Sequence, residues 1–172
     1  MGMNNINYSI NVLDSLSFPF TVQLGFKAGV NDTYSISADD INSFAPDIDI
    51  LLEDVITGTT TNLRQQPVYA FTANNNDNAQ RFFVHFFKNP VDINDAGRSN
   101  GNIFAYGNNI YVNTCGKEAV IFLYNDLGQE VADKKLCNSI LTKITVNSTG
   151  YYIVKVLSDK KVYNAKVFCK QD

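Results

Sequence analysis

Gly150 to Cys169 reads GYYIVKVLSDKKVYNAKVFC, two apolar-alternating runs about the turn residues Ser158-Asp159-Lys160-Lys161. Side chains alternate faces along a strand, so Tyr152, Val154 and Val156 share one face. Folding the stretch about Asp159-Lys160 sets Val156 opposite Tyr163, Val154 opposite Ala165 and Tyr152 opposite Val167. Lys155 then meets Asn164, and Ile153 meets Lys166, on the other face. A slip of one residue would bring Val154 against Asn164 or Lys166, so burial of one face selects this register. A two-residue or a four-residue loop gives the pairing; a three-residue loop does not. The reading is a terminal β-hairpin with one buried face.

Working backwards, the preceding seventy residues have the same character. Ile103–Tyr106 and Ile110–Thr114 flank Gly107-Asn108-Asn109, and Ala119–Tyr124 and Gln129–Leu136 flank Asn125-Asp126-Leu127-Gly128. The latter is a type I-like loop with glycine at its last position. Ile140, Thr142 and Ile144 mark one more strand, making about seven. Lys88 to Gly101 (KNPVDINDAGRSNG) has no period and is rich in Pro, Gly, Asn and Asp, the composition of a linker.

The first half alternates too. Strands are expected at Ile6–Val12, Phe20–Phe26, Tyr34–Ser37, Ile48–Leu52 and Val68–Thr72, with one helical turn in Ala38–Phe44. Thr57-Gly58-Thr59 reads as a turn and Asn62-Leu63-Arg64 as a connector. Arg81 to Phe87 is apolar on nearly both sides, which suits a central strand. Short strands punctuated by Gly, Asn and Asp indicate antiparallel sheets. The expectation is an all-β chain of two antiparallel β-sandwiches in tandem, Ig-like or jelly-roll-like. The domains are placed at 1–90 and 102–172, with a linker at 91–101.

The totals agree with a folded chain. At 172 residues, 45% hydrophobic and 18% charged, there is enough apolar material for real cores. No apolar run approaches the length of a membrane span, and Met1-Gly2-Met3-Asn4-Asn5 lacks the basic and apolar regions of a signal peptide. That opening suggests a piece of a longer protein. The net charge of −3 is uneven: five cations face eleven carboxylates in residues 1–100, and nine lysines face six in 101–172. Opposite signs favour two domains, and the acidic half offers no footprint for nucleic acid.

Reactive chemistry is sparse. His85, the single histidine, sits between phenylalanines and reads as a half-buried packing residue. Cys115, Cys137 and Cys169 lack the short spacing of structural zinc sites; Cys115 with Cys137 is the favoured disulfide if the protein is exported. Glu53-Asp54 and Asp47-x-Asp49 read as solvated turn carboxylates rather than calcium ligands. Asp92 to Gly97 imitates an EF-hand start, but the twelfth place is Ile103 instead of glutamate. Tyr69, Tyr106 and Tyr111 are the candidates for a sugar platform. The expectation is no catalytic residue, no metal and no cofactor.

Residues 102–172 resemble, over nearly their whole length, the C-terminal sorting domain of proteins exported by the type IX secretion system of Bacteroidetes. Asn102-Ile-Phe-Ala-Tyr-Gly-Asn-Asn-Ile-Tyr-Val112, Val120-Ile-Phe-Leu-Tyr-Asn-Asp-Leu-Gly-Gln-Glu-Val131, Gly150-Tyr-Tyr-Ile-Val-Lys-Val156 and Lys166-Val167 carry the likeness. The first half is similar to the β-sandwich that often precedes that signal, through Phe20–Lys27, Leu52-Glu-Asp54, Asn62-Leu63, Tyr69-x-Phe71 and Arg81–Phe86. The resemblance implies a monomeric, non-enzymatic address tag, with the cargo bound for the cell surface or the medium through periplasm and outer membrane. Its partners would be the type IX translocon, an outer-membrane shuttle protein and a sortase. Carried across, Gly128 and Gly150 become turn glycines, Tyr152 and Val154 core residues, and Lys166 part of the recognition surface. A sortase cut would fall around Gly97, Arg98, Ser99, Asn100 and Gly101. The alternative is a carbohydrate-binding or adhesive module.

Overall fold

The structure, a computed structural model, describes residues 18–88, 103–114, 116–137, 139–158 and 161–171. It is all-β with antiparallel pairing throughout, and the chain divides into two compact units between Lys88 and Asn89. The expected strand at Ile6–Val12, the linker and the EF-like stretch lie outside the described residues.

In the first unit, β1 (Phe20–Gly25), β3 (Ile48–Asp54), β4 (Thr59–Asn62) and β6 (Gln80–Lys88) form one sheet in the order β1-β6-β3-β4. β6 is therefore interior, as its two apolar faces require. β2 (Asp32–Ser37) and β5 (Val68–Ala73) pair as a second, two-stranded sheet. Ile48, Ile50 and Leu52 point the same way by alternation and meet Phe71, Ala73 and Phe82 in one core, with Phe26 edge-on to Phe71 at 5.0 Å. Thr59–Asn62, not anticipated as a strand, pairs with Leu51–Asp54 across a turn whose Gly58 has φ +68. Four short polar residues gave no alternation to read. The helical turn of Ala38–Phe44 is a single 3₁₀ turn at Ile41–Ser43. Arg64 holds it from behind, with Nε donating to Ile48 O at 2.6 Å and Nη2 to Ala45 O at 2.6 Å.

The second unit has seven strands among the described residues. β9 (Ala119–Asn125), β10 (Glu130–Cys137), β12 (Gly150–Ser158) and β13 (Lys161–Cys169) form a sheet in the order β10-β9-β12-β13. β7 (Ile103–Tyr106), β8 (Asn109–Asn113) and β11 (Leu141–Thr145) form a second in the order β11-β8-β7. Tyr152, Val154, Val156, Ile121 and Leu123 from the first meet Ile103, Ile110 and Val112 from the second in a shared core. The terminal hairpin has the expected register: Tyr152 faces Val167, Val154 faces Ala165 and Val156 faces Tyr163. Ser158 pairs with Lys161, which decides for the two-residue loop. Each buried branched or aromatic side chain here is worth about 1.5–3 kcal/mol, so the register is held by several such terms at once.

Candidate functional site

The described residues marked by the resemblance occupy four kinds of place. Tyr152 and Val154 are buried in the core of the second unit, and the Tyr152 hydroxyl donates to Ser148 O at 2.9 Å and meets Ser148 Oγ at 2.7 Å. Gly128 closes the β9–β10 turn at φ +77, a conformation that costs a side chain strain. Asn125 shapes that turn, its Oδ1 accepting from Leu127 N at 3.1 Å and Gln129 N at 2.9 Å. Gly150 is not the turn glycine expected: it opens β12 opposite Cys169, outside the left-handed region, with no atom within 4 Å of an added Cβ. The turn before it is made by polar Ser148 and Thr149 instead. Residues Gly97–Gly101 lie outside the described residues.

Lys166 stands on the solvent side of β13, where its Nζ lies 4.4 Å from the centre of the Tyr151 ring. Tyr151 in turn packs on Phe168, its partner in register, with ring centres 5.0 Å apart. β13 is an edge strand of its sheet, and Lys170 N, just past it, donates to Gly107 O at 3.0 Å. The result is a chain end fixed on one side by core packing and open on the other. Cys169, the last residue of β13, is a free buried thiol that desolvation pushes up to about 11. The favoured Cys115–Cys137 pairing involves side chains outside the described residues.

The sugar-platform tyrosines do not act alike. Tyr111 is buried and stacked on Phe104 at 5.0 Å, and Tyr69 donates its hydroxyl to Asp54 Oδ2 at 2.9 Å. Of the three, Tyr106 is the exposed one.

Two polar clusters of the first unit overturn sequence expectations. Glu53 and Asp54 are buried strand residues rather than solvated turn carboxylates. Asp54 continues the inward face of Ile48, Ile50 and Leu52, where an unpaired charge would be costly. The β1–β6 register shifts between Leu24, opposite Phe82, and Gly25, opposite Gln80, so Arg81 sits in a bulge. That bulge redirects its side chain, and the guanidinium grips Asp54 with two bonds, Nε to Oδ1 at 2.9 Å and Nη2 to Oδ2 at 2.7 Å. Nη1 donates to Thr72 O, and the guanidinium lies 4.6 Å from the centre of the Phe71 ring. Burial pushes the Asp54 carboxyl up, but hydrogen bonds from Arg81, Tyr69 and the Ile56 amide outweigh it and hold the carboxyl below its ordinary value.

His85 is fully buried rather than half-buried. Its Nδ1 lies 3.0 Å from Thr21 Oγ1, directly across β1–β6, and its Nε2 lies 3.1 Å from Glu53 Oε2. Hydroxyl, imidazole and carboxylate in a line is the order of a nucleophile, base and orienting acid. Here the imidazole has no exposed surface, so what the arrangement does in this conformation is satisfy three polar groups across adjacent strands. The sequence signal for both clusters was a charged residue and a histidine inside an otherwise apolar strand. Among the described residues, no group of three or more His, Cys, Asp or Glu side chains is placed to hold a metal.

No family model matches this chain, and no curated protein matches it. Among solved structures it is similar to one described as "Biofilm associated protein - BSP domain", with 12% identity and a TM-score of 0.34. The match covers 90% of this chain and 29% of that one, so the chain spans less than a third of that structure's length. At that TM-score the likeness transfers neither fold nor function. No helix among the described residues is long and apolar enough to cross a membrane.

Proposed function

We propose that the chain is the C-terminal part of an exported bacterial surface protein, and that its last unit is the signal for type IX secretion and surface attachment, with no reaction of its own. One observation carries this reading. The hairpin that ends the chain buries Tyr152 and Val154 in its own unit's core and leaves Lys166 and the strand through Phe168 open on the other face. A signal read in the folded state needs that combination: a rigid unit and a fixed, accessible surface. The partners would be the translocon, an outer-membrane shuttle protein and a sortase, reached by way of the periplasm, with a cut around Gly97–Gly101.

The test fuses a reporter ahead of the whole chain in a Bacteroidetes host and compares it with a fusion ending at Lys88. Export of the first and periplasmic retention of the second is the expected result. Periplasmic retention of both, in a strain that exports its own cargo, would remove the proposal. The exposed Tyr151–Phe168 pair favours a second reading, a carbohydrate-binding or adhesive surface module. A glycan array probed with the whole chain tests it, and a blank array would count against it.

A further inference from the structure

The sheet face opposite the core of the second unit is not a polar one. Tyr151 is 51% exposed, Ile153 41%, Val162 52% and Phe168 50%, and all four lie on the outer side of β12 and β13. On a solvated antiparallel sheet those positions are ordinarily polar. Interleaved with them are Lys166, opposite Ile153, and Lys155, whose Nζ lies 5.9 Å from the centre of the Phe122 ring. No carboxylate occupies the β12 or β13 positions of this face; in register, Glu130 stands at the β10 margin opposite Tyr124.

The mixture of chemistries narrows the occupant. A sugar stacks on ring faces but gains little from Ile153 and Val162. Strand addition would use the β13 edge and leave the face itself unused. An anionic bilayer surface uses every component: aromatic rings settle at headgroup level, aliphatic chains reach the acyl boundary, and lysines extend along apolar surface to place their ammonium groups on phosphates.

We propose that the outer face of β12 and β13 docks on an anionic lipid surface, with Tyr151, Ile153, Val162 and Phe168 entering the headgroup layer while Lys155 and Lys166 pair with lipid phosphates. This is the face that the export reading leaves open for its partners; vesicle binding by the purified chain is measured without those partners, so either reading can fail alone.

The whole chain is sedimented with vesicles of phosphatidylcholine alone and of phosphatidylcholine with phosphatidylglycerol in equal parts. Binding to the mixed vesicles, little binding to the neutral ones, and loss of binding at high salt are expected. Lys155→Gln with Lys166→Gln should lower partitioning by about twenty-five-fold, at about fivefold per lysine near the surface. Tyr151→Ser with Phe168→Ser should abolish it, and Lys27→Gln, on an exposed site of the first unit, should leave it unchanged. The proposal fails if the unaltered chain does not sediment with the mixed vesicles, binds neutral vesicles equally well, or retains its binding at high salt. It also fails if the lysine pair variant binds as the unaltered chain does.

Discussion

Neighbouring tyrosines provide a sharp test of the hairpin register, because Tyr152 and Tyr151 should behave oppositely. Tyr152 is 4% exposed and Tyr151 is 51% exposed. An aromatic side chain buries about 150–250 Å², which at about 25 cal/mol per Å² gives an upper bound of about 4–6 kcal/mol. Truncations of buried aromatics to alanine cost about 3–5 kcal/mol, so Tyr152→Ala should remove most of the stability of a small unit worth about 5–15 kcal/mol. Tyr152→Phe keeps the ring and loses the hydrogen bond to Ser148 O, about 1 kcal/mol. Tyr151→Ala gives up contact with Phe168 and should cost about 1 kcal/mol or less. Urea unfolding followed by far-ultraviolet circular dichroism measures all three. A Tyr151→Ala loss equal to or larger than that of Tyr152→Ala would mean that the hairpin is slipped by one residue, and the core assignment would be refuted.

Arg81→Met should destabilise the first unit by about 3–5 kcal/mol, since it leaves Asp54 buried without its cation, and adding Asp54→Leu should recover part of that loss in the same urea assay. Because the Asp54 carboxyl is held below its ordinary value, its contribution is present above the ordinary carboxylate range near 3.8 and is lost as pH falls through the native value; Asp54→Asn should flatten that part of the acid limb of a stability–pH profile. Cys169 has the opposite sign: its native value is raised from 9.0 to about 11, so its contribution is full below the ordinary thiol value and declines as pH rises from about 9 through about 11. Peptide mapping after alkylation at neutral pH should find Cys169 unmodified in the native chain and modified in urea. Gly128→Ala, at φ +77, should cost about 1 kcal/mol, whereas Gly150→Ala should change stability by less than about 0.5 kcal/mol in thermal melts.

The second unit was the more legible of the two because its strands alternate cleanly. The pairing of Tyr152 with Val167 and Val154 with Ala165 followed from placing apolar residues on one face, and the Asn125–Gly128 loop followed from its turn chemistry. The pairing of Tyr151 with Phe168 was not drawn from the sequence, and the exposure of both rings is something no pattern of letters reports. In the first unit, local pattern misled. Glu53-Asp54 before a Thr-Gly turn reads as a wet corner, but each carboxylate is met by a distant partner: Asp54 by Arg81, 27 residues away and brought round by a bulge, and Glu53 by His85, 32 residues away. His85 looked apolar by its neighbours, yet its cross-strand position opposite Thr21 made it a polar hub. Gly150 was read through its resemblance to a family rather than through its backbone, and its ordinary strand conformation removes the turn role.

The central claim is that the folded second unit is the address of an exported protein. Its most direct measurement is the location of a reporter fused ahead of the whole chain in a type IX-competent Bacteroidetes strain, read beside the Tyr152→Ala and Tyr152→Phe fusions. The account predicts surface or medium delivery for the unaltered and Tyr152→Phe chains and periplasmic retention or degradation for Tyr152→Ala. Equal delivery of all three, or of none while the strain's own cargo reaches the surface, would contradict it.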